Sequence, residues 1–228
     1  MSQLKENLQC VQENIAKAAQ KSGRSFEDIT LVAVTKTLEV EYIKQAYDLG
    51  LRNFGENRVQ ELQSKFDKLP ADIHWHMIGH LQTNKVRSVF DKVCLIHSLD
   101  SERLAIEINK RAAKNNIFSN ILIEINIAEE DGKNGIFIQN TPTLIEQIQY
   151  LSNIRILGLM CVAPFVEKAE QNRIYFEKMR KLFLDIKGKQ RHNVDMRFLS
   201  MGMSGDYEIA IEEGANIVRI GTVLFGSR

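Results

Sequence analysis

Lys36 closes the apolar run Leu31-Val32-Ala33-Val34-Thr35, and a lysine is almost never fully buried without a partner. Two outcomes are open to it. At the end of a buried strand its ammonium is disfavoured, so the pKa falls and a neutral amine becomes available to attack carbonyls. Alternatively the side chain snorkels to solvent and has no chemical role. Farther along, Ser200-Met201-Gly202-Met203-Ser204-Gly205-Asp206 and Arg219-Ile220-Gly221-Thr222 read as two turns rich in Gly and hydroxyl residues. Glycines let a backbone approach a phosphate closely, and Ser and Thr hydroxyls donate to it. Ser204-Gly205 also precedes a predicted helix, whose N-terminus favours an anion; taken singly, such a turn is a plain helix cap. Arg219 lies inside Ile217-Val218-Arg219-Ile220, so a buried guanidinium needs an acceptor, with Glu124 the carboxylate for a purely structural ion pair.

A rival chemistry is visible in His74-Trp75-His76, where two imidazoles share one face of a strand at a spacing that could hold zinc. Such a site needs further ligands from other strand ends. No histidine lies between His97 and His192, and the ends of the fifth and sixth strands offer Asn126 and Met160, so no metal is expected and these histidines read as core residues.

Positioning such groups falls to short apolar runs, which recur with helical patterns between them. The runs are 30–35, 52–55, 73–78, 93–97, 120–127, 156–162, 196–199 and 216–220. Most are continuously apolar, as strands buried on both faces are. Helical spacing covers 39–50, 57–67, 81–90, 101–114, 143–151, 168–187 and 206–213, with Gly50 and Gly214 as stops and Ser101 or Asp100 as a cap. Eight β-then-α units with long crossovers predict a parallel sheet closed into a (β/α)8 TIM barrel; an open doubly wound sheet is the alternative. The strand ends, where a barrel does its chemistry, read Lys36, Gly55-Glu56-Asn57, Gly79-His80, Ser98, Asn126, Met160, Ser200 and Gly221-Thr222. Leu4, Leu8, Val11, Ile15 and Ala18 form an amphipathic N-terminal helix, expected to cover the strand-eight side, since the chain stops at Arg228 too soon for a final full helix. Residues 1–228 read as a single domain.

Composition narrows the partners. Lys and Arg number 30 against 29 Asp and Glu, a net charge of +1, which gives no electrostatic grip on nucleic acid or anionic lipid. The basic cluster from Lys178 to Arg191 reads as a solvated helix and its exit, with aromatic residues too sparse for stacking bases. Cys10, Cys94 and Cys161 are too few and too scattered for a disulfide framework, and Cys94 reads as an inert core thiol. No apolar stretch is long enough to span a membrane and the charged N-terminus does not read as a signal peptide, so the expected location is cytoplasmic.

Six ordered blocks resemble the pyridoxal 5′-phosphate (PLP) homeostasis protein family, single-domain relatives of the alanine racemase N-terminal barrel. They are residues 31–37 (Leu31 to Thr37), Phe54-Gly55-Glu56-Asn57-Arg58-Val59-Gln60-Glu61, residues 75–85 (Trp75 to Lys85), Gly158-Leu159-Met160, residues 200–206 and Val218-Arg219-Ile220-Gly221-Thr222. Thr35 stands where serine is familiar in that family and His80 where proline is. The resemblance implies a fold-type III PLP barrel with an internal aldimine on Lys36. Ser204, Gly221 and Thr222 would hold the phosphate with Ser200 close by, Arg219 would face the pyridine nitrogen, Asn57 the ring edge, and Met160 would help line the pocket.

Arg219 then bears on reactivity. A guanidinium only donates, so a ring nitrogen bonded to it is an unprotonated acceptor and a weak electron sink. The resemblance therefore implies a protein of intracellular PLP storage, delivery or buffering, with PLP-dependent apoenzymes as partners; with no second domain to dimerise through, a monomer is expected. The alternative is a weak PLP-dependent amino-acid racemase, which needs a second base; Tyr207 is the one tyrosine near a strand end, and no further β domain precedes Arg228. A Schiff-base aldolase acting on a sugar phosphate is a third reading.

Overall fold

The computed structural model describes residues 3–189 and 191–226; the expectation about the chain's end falls on Arg228, outside the described residues. Eight parallel strands form a closed barrel in chain order. They are β1 (Thr30–Val34), β2 (Asn53–Glu56), β3 (His74–Met77), β4 (Leu95–Leu99), β5 (Ser119–Ile125), β6 (Ile154–Cys161), β7 (Val194–Ser200) and β8 (Ile217–Ile220). Closure comes from β1 pairing with β8, with Val32 beside Arg219, which decides against the open sheet. The helices are α1 (Gln3–Lys21), α2 (Val40–Asp48), α3 (Val59–Phe66), α4 (Glu102–Lys114), α5 (Thr141–Ile148), α6 (Arg173–Lys187), α7 (Tyr207–Glu212) and α8 (Thr222–Phe225).

Each expected element has a physical counterpart. Ser101, rather than Asp100, caps α4 by accepting the Leu104 N–H. Gly50 and Gly214 both take positive φ just past α2 and α7, as helix stops do. One expected helix is corrected: 81–90 is a 3-10 turn over Thr83–Ser88, closed by Val89 N–H to Val86 C=O, where β-branched residues disfavour a longer helix. Cys94 is also corrected. It lies one residue before β4, exposed at the barrel's lower rim, where its thiol meets the Trp75 carbonyl at 3.2 Å.

The N-terminal helix covers the strand-eight side. α1 buries Leu8, Val11, Ile15, Ala18 and Ala19, and its polar residues tie it to the elements flanking β8. Asn7 donates to the Leu224 carbonyl of α8, Asn14 to the Tyr207 hydroxyl of α7, and Lys21 pairs with Glu212 at 2.7 Å. The larger apolar core lies between the strands and the helices. A smaller one fills the lower barrel with Val32, Leu95, Leu122, Leu157 and Ile217, against which Phe198 packs, and reaches up to Met160 at the level of Ser200.

Two residues beyond that floor, on the same face of four of the strands, the interior turns polar. Leu95 is followed by His97, Leu122 by Glu124, Phe198 by Ser200 and Ile217 by Arg219. The barrel thus has an apolar base and a polar layer just below its C-terminal mouth. Among the described residues, no helix is long and apolar enough to cross a membrane.

Candidate functional site

At the mouth lies a cavity of about 480 Å³, walled by the ends of β1, β6, β7 and β8. Lys36 enters it from β1, Arg219 from β8, and Ser204, Gly205, Gly221 and Thr222 from the turns after β7 and β8. Of the two outcomes open to Lys36 the structure shows the exposed one: β1 ends at Val34, Thr35 is the last buried residue, and Lys36 is exposed on the cavity wall.

The β7 turn is held from below. Asp206 accepts the Met203 N–H at 2.7 Å and the Asn172 side-chain amide at 2.8 Å, and Asn172 also donates to the Pro164 carbonyl. Gly202 sits at φ +92°, where an added Cβ would lie 2.6 Å from the Ala210 methyl, so the turn closes against α7 only with glycine there. So braced, Ser204 places its Oγ where the backbone N–H groups of Gly221 and Val223 point, at 3.3 and 3.4 Å. Two N–H donors and the Ser204 hydroxyl converge there, an arrangement suited to phosphate oxygens.

Arg219 is buried, and the expected ion pair with Glu124 is not what holds it. Its acceptors are neutral: Ser200 Oγ at 2.6 Å and the Cys161 carbonyl at 2.8 Å. Register explains the difference, because Met160 stands between them, beside Glu124 on one side and Ser200 on the other. Those two bonds use two of the five N–H groups of a guanidinium, leaving donors for an acceptor in the cavity.

Beneath Arg219 the polar layer forms one chain. Ser200 Oγ meets His97 Nδ1 at 3.0 Å, His97 Nε2 meets His76 Nδ1 at 2.9 Å, and His76 Nε2 meets Asn53 Oδ1 at 3.1 Å. A single proton arrangement satisfies all of it. Because Asn53 Oδ1 only accepts, His76 is protonated at Nε2 and accepts at Nδ1; His97 is then protonated at Nε2 and accepts the Ser200 hydroxyl proton at Nδ1. Every hydrogen points away from Arg219, and both imidazoles are neutral. Burial enforces this, drawing the His76 pKa down to about 3 and that of His97 well below its ordinary value. His76 therefore belongs to this chain while His74 is exposed, and among the described residues no cluster of three or more His, Cys, Asp or Glu could hold a metal.

Glu124 is the one carboxyl of this layer. Its Oε2 has no partner, and burial, with Asp100 adding to it and Arg219 opposing, pushes its pKa up to about 7. The folded protein therefore holds a proton that the unfolded chain releases above its ordinary value of 4.5, and stability from this group is lost as pH rises from there to about 7. Replacing the group in Glu124→Gln should raise stability relative to the parent by about 3 kcal/mol more at pH 8 than at pH 4.5. Urea unfolding at the two pH values reads this out, and a gap that does not change with pH would show the carboxyl already ionised.

Of the residues expected from sequence, Lys36, Ser204, Arg219, Gly221 and Thr222 share the cavity wall. Ser200 and Met160 are fully buried just below, Ser200 as the rest for Arg219. Asn57 lines a separate depression on the neighbouring rim, with Arg58, His80 and Lys85. Of the two departures from the resembled pattern, Thr35 donates to Glu56 behind the site, and His80 pairs with Asp100 on the rim at 3.2 Å. Sequence reasoning missed Lys133, Asn172 and the exposed Phe165 on the same wall. Asp206, read as a helix start, signalled its bracing role only as an Asp following Ser-Gly at a helix entrance.

Similarity to known proteins follows this geometry. The family model for the alanine racemase N-terminal domain matches residues 7–228. The pyridoxal phosphate homeostasis protein of Aquifex aeolicus is 48% identical, over 98% of this chain and 97% of that one. This chain belongs to the pyridoxal phosphate homeostasis protein family. The member from Escherichia coli K12 is 39% identical, over all of this chain and 98% of its own. PipY of Synechococcus elongatus PCC7942, in a structure with PLP bound, is 31% identical and superposes with a TM-score of 0.84, covering 98% of this chain and 100% of PipY. An alanine racemase of Clostridium difficile 630 is 18% identical with a TM-score of 0.70, covering 99% of this chain but 56% of the racemase, and so shows the shared barrel alone.

Proposed function

We propose that the chain, as one unit over residues 1–228, binds PLP at the mouth of the barrel and serves cytoplasmic PLP homeostasis as a monomeric reserve that supplies apoenzymes. The observation that carries the reading is the convergence of Lys36, Arg219 and the Ser204–Gly221–Thr222 turns on one cavity. Each meets a different part of the ligand. The amine of Lys36 suits the aldehyde, the hydroxyls and N–H groups of the two turns suit the phosphate, and the donors left on Arg219 suit the ring nitrogen. When bound, PLP supplies an electrophilic aldehyde and an aromatic electron sink.

What the chain's own residues do with that sink favours storage over turnover. Arg219, fixed by Ser200 and the Cys161 carbonyl, would donate to the ring nitrogen and would bring no proton that the ring could keep. Ser200 cannot protonate the ring in its place, because its hydroxyl proton is committed to the neutral His97 below. Racemisation needs a base on each face, and the candidate Tyr207 is buried against α1 with its hydroxyl accepting from Asn14. A purified sample incubated with PLP should become coloured, and borohydride should fix one pyridoxyl mass on the protein. Production of D-amino acids at about 1 s⁻¹ or faster, the low end of ordinary enzymes, would establish the racemase reading instead.

The phosphate cradle makes a separate expectation. Ser204→Asp sets a carboxylate among the donors, and like charges at close range cost several kcal/mol, so PLP affinity should fall at least about tenfold. Pyridoxal, which lacks the phosphate, should bind the variant as it binds the parent. Equal losses for both ligands in fluorescence titrations would place the phosphate elsewhere.

A further inference from the structure

Behind Lys36, outside the cavity, three charged side chains form a closed cluster. Glu56 ends β2 fully buried, and its Oε1 accepts from Lys65 Nζ at 2.7 Å and from Thr35 Oγ1 at 2.7 Å. Lys65, buried on α3, also donates to the Thr35 carbonyl at 2.9 Å and lies 3.6 Å from Glu61 Oε2. That same Glu61 oxygen accepts the backbone N–H of Thr37 at 2.6 Å. The residues on either side of Lys36 are thus both fixed by one cluster.

Local backbone shows why fixing is needed. Leu38 N–H returns to the Thr35 carbonyl at 3.0 Å, closing a four-residue turn with Lys36 second and Thr37 third. Thr37 has φ +63°, at a place where turns of positive φ ordinarily carry glycine or asparagine. A β-branched residue avoids that region and stays there only where its surroundings over-determine it. The bond from Glu61 is the one that grips Thr37 itself, and Lys65 holds both Glu61 and the turn's first carbonyl.

We infer that Glu61, anchored by the Lys65–Glu56 pair, is a positioning residue that holds the strained Thr37 turn and so aims Lys36 at an aldehyde in the cavity. This rests on the PLP reading above. In the reaction concerned, the Lys36 nitrogen bonds to the aldehyde carbon, the carbonyl oxygen leaves as one water, and nothing is oxidised or reduced. Glu61 touches neither reacting atom; its contribution is the direction from which the amine approaches.

The test compares Glu61→Ala, Glu61→Gln and Glu61→Ala combined with Thr37→Gly. One readout is the rate at which PLP becomes borohydride-fixable on the Lys36 peptide. The other is the affinity for 4′-deoxypyridoxine 5′-phosphate, which keeps the ring and phosphate but has no aldehyde to condense. Glu61→Ala should slow labelling on the order of tenfold, since a misaimed reactive group loses rate steeply. Glu61→Gln keeps an oxygen for the Thr37 N–H and should label nearly as the parent does. Adding Thr37→Gly should restore the rate, because glycine takes positive φ without steric cost. Affinity for the analogue should be the same throughout. The inference is overturned by Glu61→Ala labelling at the parent rate, by labelling and analogue affinity falling together, or by glycine at 37 failing to restore the rate. Failure of the underlying reading is distinct: the parent protein itself would then carry no label on Lys36.

Discussion

Lys36→Ala should abolish the borohydride-fixed pyridoxyl mass entirely while retaining weak binding through Ser204, Gly221 and Thr222. The expectation is severe because only one of the cavity's two lysines is carried by the rigid frame. Lys36 directly follows β1, and the residues on both sides of it are bonded to the Glu56–Lys65–Glu61 cluster. Lys133 also lines the cavity, but it sits on the long excursion between β5 and α5, paired with Glu130 at 2.6 Å. Reactive groups held by regular elements keep their geometry better than those on loops. Peptide mapping of the labelled protein should therefore find the mass at position 36 in the parent and nowhere in the variant. Parent-level labelling of the variant at Lys133 would move the covalent link to the other wall and sink the assignment.

The barrel itself was readable because a strand buried on both faces must be apolar at consecutive positions, as Leu31 to Val34 and Ile121 to Ile123 are. The amphipathic stripe from Leu8 to Ala18 likewise announced a helix with one partner face. Whether Lys36 is buried or exposed is not decided by the apolar run, which gives no sign that β1 stops at Val34 and turns at Thr37. Its position at the cavity was legible; the cluster that steers it was not, since Glu56, Lys65 and Glu61 meet only once α3 folds back under the end of β1. The chain from Arg219 to Asn53 was hidden for the same reason. Its members lie on β8, β7, β4, β3 and β2, and nothing within any one strand points to its partner on the next. Read together, they explain why the interior turns polar at one level: a donor-only residue at the mouth is held in place by a column of neutral acceptors.

Gly158→Ala should cost more than about 4 kcal/mol and leave little folded protein, because the substitution strikes the register that builds this interior. Across from β5, Ile121 pairs with Ile156 and Leu122 with Gly158, so Leu157 is an extra residue in β6. Alternation alone would send Leu157 and Met160, three residues apart, to opposite faces. The bulge lets both face inward, Leu157 on the apolar floor and Met160 level with Ser200 and Glu124. Gly158 makes this feasible with φ +154°, and an added Cβ would lie 1.8 Å from the Phe198 carbonyl oxygen. A backbone carbonyl paired into β7 cannot rotate out of the way, so β6 and β7 would have to separate just below Ser200, the rest for Arg219. Gly188→Ala provides the control, since its Cβ would meet nothing closer than 3.6 Å and its helical φ of −69° suits alanine. That variant should unfold within about 1 kcal/mol of the parent in urea. If Gly158→Ala did the same, the close contact between β6 and β7 would not exist, and the polar layer would need another explanation for its register.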